Sequence, residues 1–465
     1  MVSMDIEPYI KEGKRCHMVG IGGVSMSPLA ILLHGMGIPI TGSDMNDCEA
    51  IGTLQEAGIN AMVGHSTQYL NGVDYVIRTA AAREENIEIK AAREMGIPVF
   101  ERAEAWGYIM RSYKNAICIA GTHGKTTTTS MVTHILLAAS ADPTVMIGGN
   151  LPILGSGYRF GKGDSIVLES CEYYNSFHSF FPTIAVILNI DNDHLDFFTN
   201  MENLKESFRQ FASLVPPDGS IICNLDDENT MNALGLFDKE LITFGMGENA
   251  TVRGVNIRIG GRNPSMDVLY KGKPFCSVVL GIPGIHNLKN ALAAIAVSIQ
   301  MGLSIESIIE GLYSFQGVDR RFQYKGSING ADVYDDYAHH PSELCALLDA
   351  AQSLEYKRIV LAFQPHTYTR THNLFDDFAT QLSRADITLL AEIYAAREKN
   401  EIGISSQMLA KSVPGARSYP SLDDITKEIA TIAKDGDLIL TVGAGDVYQV
   451  GEALVNWKKY FKDGT

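Results

Sequence analysis

A glycine-rich segment, GTHGKTTTTS at residues 121–130, carries the residue types best suited to binding phosphate. Glycines let backbone N–H groups approach phosphate oxygens, Lys125 adds a positive charge, and the Thr126 hydroxyl can bind Mg²⁺. The segment lies between an apolar strand-like run and a helical pattern that continues through Ala139. It is not a standard Walker A sequence, because that pattern needs a glycine where Ile119 stands. A shortened nucleotide-phosphate loop is predicted, in preference to a glycine-capped turn without a ligand.

A second glycine-rich segment, GIGGVS at residues 20–25, follows another short apolar run. It departs from the dinucleotide-binding fingerprint because Ser25 replaces the third glycine, while Asp44 lies near the position that reads a ribose. Taken alone, this segment is typical of a nicotinamide-dependent enzyme.

Further on, the segment DDYAHHP places paired carboxylates and paired imidazoles at the end of a predicted strand. In α/β sheets this is where ligand-binding groups lie. A zinc site is the alternative, but adjacent side chains such as His339 and His340 diverge on a strand and no third ligand is evident.

Several other polar residues are compatible with both a structural and a binding role. Glu172 follows the run SIVLE and could be a solvated carboxylate or a metal ligand. Asn287 and Asn290 lie at a predicted helix start, where an amide can cap the helix or bind adenine. Arg320 and Arg321 are adjacent and cannot both face one way, so only one is expected to reach a terminal phosphate.

The chain resembles the muramyl ligase family over nearly its whole length, with the motifs in the family's order. The matching segments are GIGGVSMSPLA near the start, GTHGKTT, ESCEYYNSF at 169–177, NIDNDHLD at 189–196, PGIHNLKNALAA at 283–294, GVDRRF at 317–322, DDYAHHP at 335–341 and FQPHTYTRT at 363–371.

This resemblance implies a site for ATP and Mg²⁺. The implied catalytic residues are Lys125, His194, Arg320 and His339. Those implied for ATP are Gly121, Thr122, His123, Gly124, Lys125, Thr126, Thr127, Asn287, Asn290, Arg320 and Asp336. Those implied for metal are Thr126, Glu172 and His194.

The resemblance also implies binding of two further substrates. In this family the first glycine-rich loop binds a UDP diphosphate, which assigns Gly20, Gly22, Gly23, Ser25 and Asp44 to UDP-N-acetylmuramic acid. The incoming amino acid is assigned to Tyr337, His339 and Arg370, since a guanidinium can bind a carboxylate with two hydrogen bonds. His366 or Tyr337 is expected to supplement Arg370.

The implied reaction is amide-bond formation between the lactyl carboxylate of UDP-N-acetylmuramic acid and L-alanine, driven by ATP through an acyl phosphate. The alternatives are a family member that adds another amino acid or a recycled peptide, and, from other classes, a non-catalytic nucleotide-binding regulator or a dehydrogenase.

Strand-like runs alternate with helical patterns along the chain, which predicts an α/β protein with parallel sheets and crossover helices. Three domains are expected: a Rossmann-like domain at residues 1–112 for UDP, a central mononucleotide-type domain at 113–316 for ATP, and a Rossmann-like domain at 317–465 for the amino acid. Residues 241–280 alternate strand-like runs with turns and predict a small antiparallel appendage on the central domain.

The composition of the chain argues against several kinds of partner and site. A net charge of −16 disfavours nucleic acid and anionic membranes as partners, since both are bound through clustered Lys and Arg. The seven cysteines are scattered and lack CxxC spacing, which argues against disulfides or zinc. No apolar run reaches the roughly 18 residues of a membrane span, and no secretory signal is evident. A cytoplasmic monomer or weak homodimer is expected.

Overall fold

The computed structural model describes residues 5–193, 195–235, 237, 239–260, 263–396 and 398–460. Three β-sheets organise these residues, and helices follow most of the strands. The α/β fold class predicted from the alternating pattern is confirmed.

The first sheet is entirely parallel, with strand order β3-β2-β1-β4-β5. Its strands are β1 (Cys16–Val19), β2 (Ile40–Asp44), β3 (Asn60–Val63), β4 (Tyr75–Arg78) and β5 (Val99–Glu101). The helices are α1 (Met26–Gly35), α2 (Glu49–Glu56), α3 (Ile87–Glu94) and α4 (Arg102–Met110), with a 3-10 helix at Thr67–Leu70. Since β2 and β4 lie on opposite sides of β1, the crevice at the carboxyl end of β1 is open to a ligand.

The second sheet has ten strands in the order β15-β14-β13-β12-β11-β10-β6-β9-β7-β8. They are β6 (Asn115–Ala120), β7 (Thr144–Leu151), β8 (Ser156–Arg159), β9 (Ser165–Glu169), β10 (Ile184–Ile187), β11 (Ser220–Asn224), β12 (Leu241–Gly245), β13 (Val252–Arg258), β14 (Ser265–Tyr270) and β15 (Lys273–Val279). The helices are α5 (Lys125–Ala138), α6 (Leu195–Phe198), α7 (Met201–Ser213), α8 (Glu228–Leu234), α9 (Ile285–Gln300) and α10 (Ile305–Ser314), with a 3-10 helix at Tyr173–Ser179.

The centre of this sheet is buried on both faces. Strands β6 and β10 read as continuous apolar runs and are almost wholly inaccessible, as expected for parallel strands covered by helices. Helix α5 is buried along most of its length, although four threonines follow Lys125 at its start. The phosphate loop between β6 and α5 therefore starts from a rigid base.

The mixed sheet with antiparallel strands predicted for the central region is confirmed, and β14 and β15 within residues 241–280 are neighbours joined by residues 271–272 alone. Strand β12 pairs in parallel with β11, and β13 pairs in parallel with β12. These two parallel contacts, which the sequence did not predict, connect the appendage to the rest of the sheet. An unpredicted antiparallel pair, β7 with β8, lies at the opposite edge.

The third sheet has the order β16-β17-β21-β18-β19-β20. Only β16 is antiparallel to its neighbour. Its strands are β16 (Gln323–Ile328), β17 (Ala331–Asp336), β18 (Arg358–Phe363), β19 (Ile387–Leu390), β20 (Arg417–Ser418) and β21 (Asp437–Val442). The helices are α11 (Pro341–Gln352), α12 (Tyr368–Asn373), α13 (Phe375–Leu382), α14 (Ser406–Lys411), α15 (Leu422–Ile432), α16 (Tyr448–Val455) and α17 (Trp457–Tyr460).

Two compact units contain these sheets. The first comprises the residues up to 253 together with 269–275 and 290–311, and the second comprises 254–268, 276–289 and the residues from 312 onward. Each sheet draws its strands from one of the three predicted domains, whose boundaries stay predictions. No helix in the described part of the chain is long and apolar enough to cross a membrane.

Close packing of α4 generates the first prediction. A Cβ at Gly107 would overlap the backbone carbonyl of Ser179, which cannot move away without breaking the 3-10 helix to which it belongs. Gly107→Ala should therefore destabilise the first unit by about 1–3 kcal/mol. Gly52→Ala is the matched control, because Gly52 is an exposed helical glycine with open space around it, and alanine there should stabilise by about 0.5–1 kcal/mol. Urea unfolding of both variants measures the difference, and equal midpoints would contradict this account.

Candidate active site

The predicted phosphate loop connects β6 to α5 and packs tightly against its neighbours. Gly121 and Gly124 have φ values of +141° and +83°, which side-chain-bearing residues rarely adopt. A Cβ at Gly121 would approach Leu188 Cβ to 2.9 Å, and one at Gly124 would approach Asn290 Oδ1 to 2.6 Å. Glycine is therefore required at both positions, and the positive end of the α5 dipole stays accessible to an anion.

Lys125, the first residue of α5, is held over the loop by several oxygens. Its ammonium donates to the carbonyls of Gly121 and Thr122, and its Nζ lies 3.0 Å from Glu172 Oε2. Burial of the ammonium opposes its charge, but the Glu172 carboxylate, followed by Cys171 and Glu169, outweighs burial and raises the pKa of Lys125. The site thus keeps a permanent positive charge in a fixed place.

The carboxylate beside Thr126 is Glu169, a residue that the sequence analysis did not select. Thr126 Oγ1 donates to Glu169 Oε1 at 3.1 Å, and the Gly148 N–H donates to Glu169 Oε2 at 2.8 Å. Glu172 was placed at the end of the SIVLE strand, but β9 ends at Glu169 and Glu172 lies three residues beyond, where it pairs with Lys125. The strand-end position of Glu169 was the signal that could have identified it.

The donor set around the loop fits a magnesium ion. A hydroxyl and two carboxylates, from Thr126, Glu169 and Glu172, are hard oxygen ligands, and they lie beside a loop suited to phosphate. His194, the other implied metal ligand and catalytic residue, lies outside the described residues.

The segment after β10 fixes the shape of the loop. Asn189 accepts a hydrogen bond from the His123 N–H at 2.8 Å and donates to the His123 carbonyl at 3.0 Å. His123 Nε2 lies 3.0 Å from Asp191 Oδ2, and the Asp191 N–H donates to Thr122 Oγ1. Thr122 and His123 are thus shaped by neighbouring polar groups, while Thr127 is buried in the first turn of α5.

The two asparagines of the HNLKN segment have different roles in the structure. Asn290 packs its amide against Gly124 and so borders the phosphate loop. Asn287 Nδ2 donates to the Pro283 carbonyl at 2.6 Å, which ties the first turn of α9 to the segment before it, and its part in adenine binding stays a prediction. Nearby, burial lowers the pKa of His286 to about 4, so this imidazole is neutral at physiological pH.

The loop at residues 20–25 lies at the carboxyl end of β1, as predicted. Gly20 has φ +80°, and the Gly22 N–H donates to Asp44 Oδ2 at 3.1 Å. Asp44 Oδ1 accepts from the Asn46 N–H, so the Asp44 carboxylate holds the loop to the end of β2. Ser25 precedes α1, and its carbonyl accepts a hydrogen bond from Trp106 Nε1. Gly23 lies between Gly22 and Ser25, the loop residues that make these hydrogen bonds.

A cavity of about 290 Å³ extends from this loop to Glu169, the carboxylate that accepts a hydrogen bond from Thr126. Its walls include the loop residues Gly23 and Ser25, Arg102 of α4, and Gly148 and Glu169 of the second sheet. One elongated ligand can therefore contact the first loop and reach the Glu169 carboxylate.

Arg320 is held by hydrogen bonds to residues at the ends of two strands of the third sheet. Its Nε donates to Asp335 at 3.1 Å and its Nη2 to the Gly443 carbonyl at 2.6 Å, while its guanidinium lies over the rings of Tyr337 and Tyr448. Arg321 instead lies 3.8 Å from Glu343. The two guanidiniums have different acidic neighbours, although both lie over the Tyr337 ring, at 4.9 Å for Arg320 and 5.5 Å for Arg321.

Asp336 ends β17 and is buried. Its carboxylate accepts hydrogen bonds from the N–H groups of Phe322 and Ala338 at 2.7 and 2.8 Å. Burial raises the pKa of Asp336 to about 6, although the charge of Arg321 and these hydrogen bonds oppose the shift. Asp336 therefore fixes the segment before β16 to the end of β17.

The residues implied for the amino acid lie together beyond the ends of β17 and β18. The His339 ring lies 5.5 Å from that of Tyr337 and 5.7 Å from that of His366. Arg370 Nη1 is 3.3 Å from His366 Nδ1, so the two side chains lie side by side. Together they form a compact polar cluster.

The side chains of His339 and His340 contact different groups, as expected for adjacent residues. His339 Nδ1 lies 3.1 Å from the Tyr337 carbonyl and 3.4 Å from Glu343 Oε2. His340 caps α11 by accepting a hydrogen bond from the Ser342 N–H. The pair is therefore divided between the cluster and a helix cap.

Comparison with known families identifies the chain. Residues 15–114 match the Mur ligase family catalytic domain, 119–298 the Mur ligase middle domain, and 320–445 the Mur ligase glutamate ligase domain. The chain belongs to the Mur ligase family, and the recognition made from its motifs is confirmed.

Individual relatives are more specific. The chain is 44% identical to the UDP-N-acetylmuramate–L-alanine ligase of Clostridium novyi, covering 97% of this chain and 99% of the relative. It is 42% identical to the enzyme of that name from Caldanaerobacter subterraneus, covering 98% and 100%. Among solved structures, it is similar to the UDP-N-acetylmuramate–alanine ligase MurC of Thermotoga maritima, with TM-score 0.81, 30% identity, and coverage of 96% and 100%. A murein peptide ligase from Psychrobacter arcticus, at TM-score 0.71, 24% identity and coverage of 97% and 100%, shares the fold.

The raised pKa of Asp336 generates a pH prediction. A carboxyl group with a folded-state pKa above its unfolded value stabilises the fold at low pH, and this contribution is lost as pH rises through the folded pKa near 6. Relative to Asp336→Asn, the wild type should lose about 2 kcal/mol of local stability between roughly pH 4.5 and 7.5. Hydrogen exchange of the β17 amides, followed by mass spectrometry at several pH values, measures this loss of local stability. A constant difference across this range would show that Asp336 titrates normally.

Proposed function

We propose that the protein is an ATP-dependent ligase that joins L-alanine to the lactyl carboxylate of UDP-N-acetylmuramic acid in peptidoglycan precursor synthesis. The observation that carries this proposal is the cavity between the loop at residues 20–25 and Glu169, beside the phosphate loop. Relatives with this printed name match the chain from end to end at 42–45% identity. A nucleotide-binding regulator needs no such cavity, and a dehydrogenase needs no phosphate loop.

The reaction needs two transfers. First, a carboxylate oxygen of the lactyl group attacks the γ-phosphorus of ATP, the bond to the β-phosphate oxygen breaks, and ADP leaves. The alanine amine then attacks the acyl carbon, inorganic phosphate leaves with the carbon–oxygen electron pair, and the amine loses a proton. Both steps concentrate negative charge on phosphate oxygens, so fixed positive groups accelerate them.

Residues of the first unit supply that charge and position the ATP. Lys125 stays protonated and faces the loop, and the N-terminus of α5 adds a partial positive charge. Asn290 keeps its amide against Gly124, within reach of a nucleotide bound there. Bound Mg²⁺, held by Thr126, Glu169 and Glu172, would neutralise phosphate charge as ATP binds.

Residues of the second unit are suited to the amino acid. Arg370 offers a guanidinium for the alanine carboxylate, with His366 beside it. The His339 ring lies near the rings of His366 and Tyr337. We place the reaction in the cytoplasm, which fits seven free cysteines, with a monomer or weak homodimer as the functional form.

Mass detection of UDP-N-acetylmuramoyl-L-alanine from purified protein, ATP, Mg²⁺ and both substrates is the direct test. ADP should accumulate only when UDP-N-acetylmuramic acid and L-alanine are both present. A product containing another amino acid or a peptide would reassign the chain within the family, and steady ADP release without either substrate would contradict the ligase assignment.

Lys125→Ala tests the role of the phosphate loop. Turnover should fall by about 10²- to 10³-fold or more, because a fixed cation facing the transferred phosphate is lost. Calorimetric binding of UDP-N-acetylmuramic acid should stay within about twofold, since its loop lies on the first sheet. Lys114→Ala is the control, an exposed lysine just before β6. Equal loss of UDP-substrate binding and turnover would refute this division of roles.

Glu169→Gln and Glu172→Gln test the metal ligands. Each should raise the Mg²⁺ concentration needed for half-maximal binding of a non-hydrolysable ATP analogue by roughly tenfold, because a neutral amide is a weaker ligand for a hard cation. The exposed Glu94→Gln is the control. A normal Mg²⁺ requirement in both site variants would place the ion elsewhere.

A further inference from the structure

The cavity between the two loops has an unusual charge distribution. Of the described residues that line it, Arg102 alone is cationic and Glu169 alone is acidic, while most of the others are apolar or glycine. Glu169 is engaged by Thr126 and Gly148, as described above. The positive charge of Arg102 is therefore available to a ligand in the cavity.

Arg102 has no partner among the residues that the structure describes. Its neighbour Glu101 pairs with Arg78 at 2.6 Å, and Glu104 accepts a hydrogen bond from the Glu101 N–H. Within the described chain, no oxygen accepts a hydrogen bond from the Arg102 guanidinium and no carboxylate forms an ion pair with it. Other arginines of the first sheet, such as Arg93 with Glu84, are paired.

Arg102 is also partly removed from water, although it remains a cation. It is half-buried at the start of α4, and burial lowers its pKa, with Cys171 and Glu101 opposing the shift. Removing an unpaired guanidinium from water is unfavourable. Groups held in this way are typical of binding sites, where a ligand supplies the missing partner.

The position of Arg102 indicates which part of a ligand it meets. Arg102 lines the cavity together with Glu169 and Cys171, and Glu169 accepts a hydrogen bond from Thr126 beside the phosphate loop. The diphosphate is assigned to the loop at residues 20–25 and the N-terminus of α1, whose backbone N–H groups can bind it. Between these ends, the remaining anionic group of the proposed substrate is its carboxylate.

We propose that Arg102 binds the lactyl carboxylate of the UDP-sugar and positions it for attack on the γ-phosphate. This inference rests on the proposed function. A guanidinium can bind both carboxylate oxygens and hold them in one plane, which fixes the direction of attack. It also offsets the repulsion between the substrate carboxylate and Glu169 in the same cavity.

Calorimetry with two UDP-sugars separates this role from a contact with the diphosphate. UDP-N-acetylmuramic acid carries the lactyl carboxylate, and UDP-N-acetylglucosamine lacks it. Arg102→Gln should weaken binding of the first by about 10- to 100-fold and of the second by less than about threefold. Arg102→Lys should recover part of the loss, because it keeps the charge without the fork. Arg93→Gln, in the same region but paired at the surface, should leave both affinities unchanged.

Kinetics give a second readout. In Arg102→Lys, the KM for UDP-N-acetylmuramic acid should rise while the KM for ATP stays within about twofold. Melting temperatures of the variants show whether the fold is retained, and the lysine variant serves if the glutamine variant does not fold.

Equal losses with both UDP-sugars, or no loss with either, would overturn the assignment of Arg102 to the carboxylate. These results are distinct from a failure of the proposed function. Wild-type protein that formed no UDP-N-acetylmuramoyl-L-alanine would overturn that function, whereas product formation at unchanged affinity in both Arg102 variants would overturn only the inference.

Discussion

The tight fit of the phosphate loop against its neighbours is the constraint on which the candidate site depends. Gly124 touches the Asn290 amide, and Gly121 touches Leu188 at the end of β10. These contacts tie the loop to α9 and to the centre of the second sheet, so the start of α5 is fixed before any nucleotide binds. Preorganised groups of this kind need no rearrangement when charge develops during reaction. The buried strands around β6 provide the rigidity that this requires.

The positive groups at the proposed site are opposite in sign to the net charge of the whole protein. The chain carries a net charge of −16, yet each proposed substrate is an anion or contains one. Local groups therefore have to overcome the overall repulsion, and the structure concentrates them at loop and helix starts. Lys125 begins α5, and Arg102 begins α4. Both lie on the first unit, where the proposed phosphoryl transfer takes place.

Much of the fold and of the phosphate site could be predicted from the sequence, because both depend on local patterns. Apolar runs followed by glycine-rich turns identified β1, β6 and the loops after them. The parallel pairing of β12 and the antiparallel β7–β8 edge could not be predicted, since short segments with similar turns can pair either way and the neighbouring strand decides. Similarly, the hydrogen bond from Asn287 to the Pro283 carbonyl could not be predicted, because it depends on how the chain enters α9.

Glu169 and Arg102 show why single motifs are insufficient for the rest of the site. In the sequence, Glu169 is an ordinary strand end and Arg102 an ordinary helix start, 67 residues apart by their numbers. Folding brings them to one cavity, because β9 lies beside β6 and α4 leads from the first sheet into the second. The neighbouring residues in the sequence do not indicate a functional role for Glu169 or Arg102. The carboxylate becomes informative beside the Thr126 hydroxyl, and the guanidinium becomes informative because the described chain leaves it without a partner. Residues of this kind follow from topology and charge together, so a three-dimensional arrangement is needed before their chemistry can be inferred.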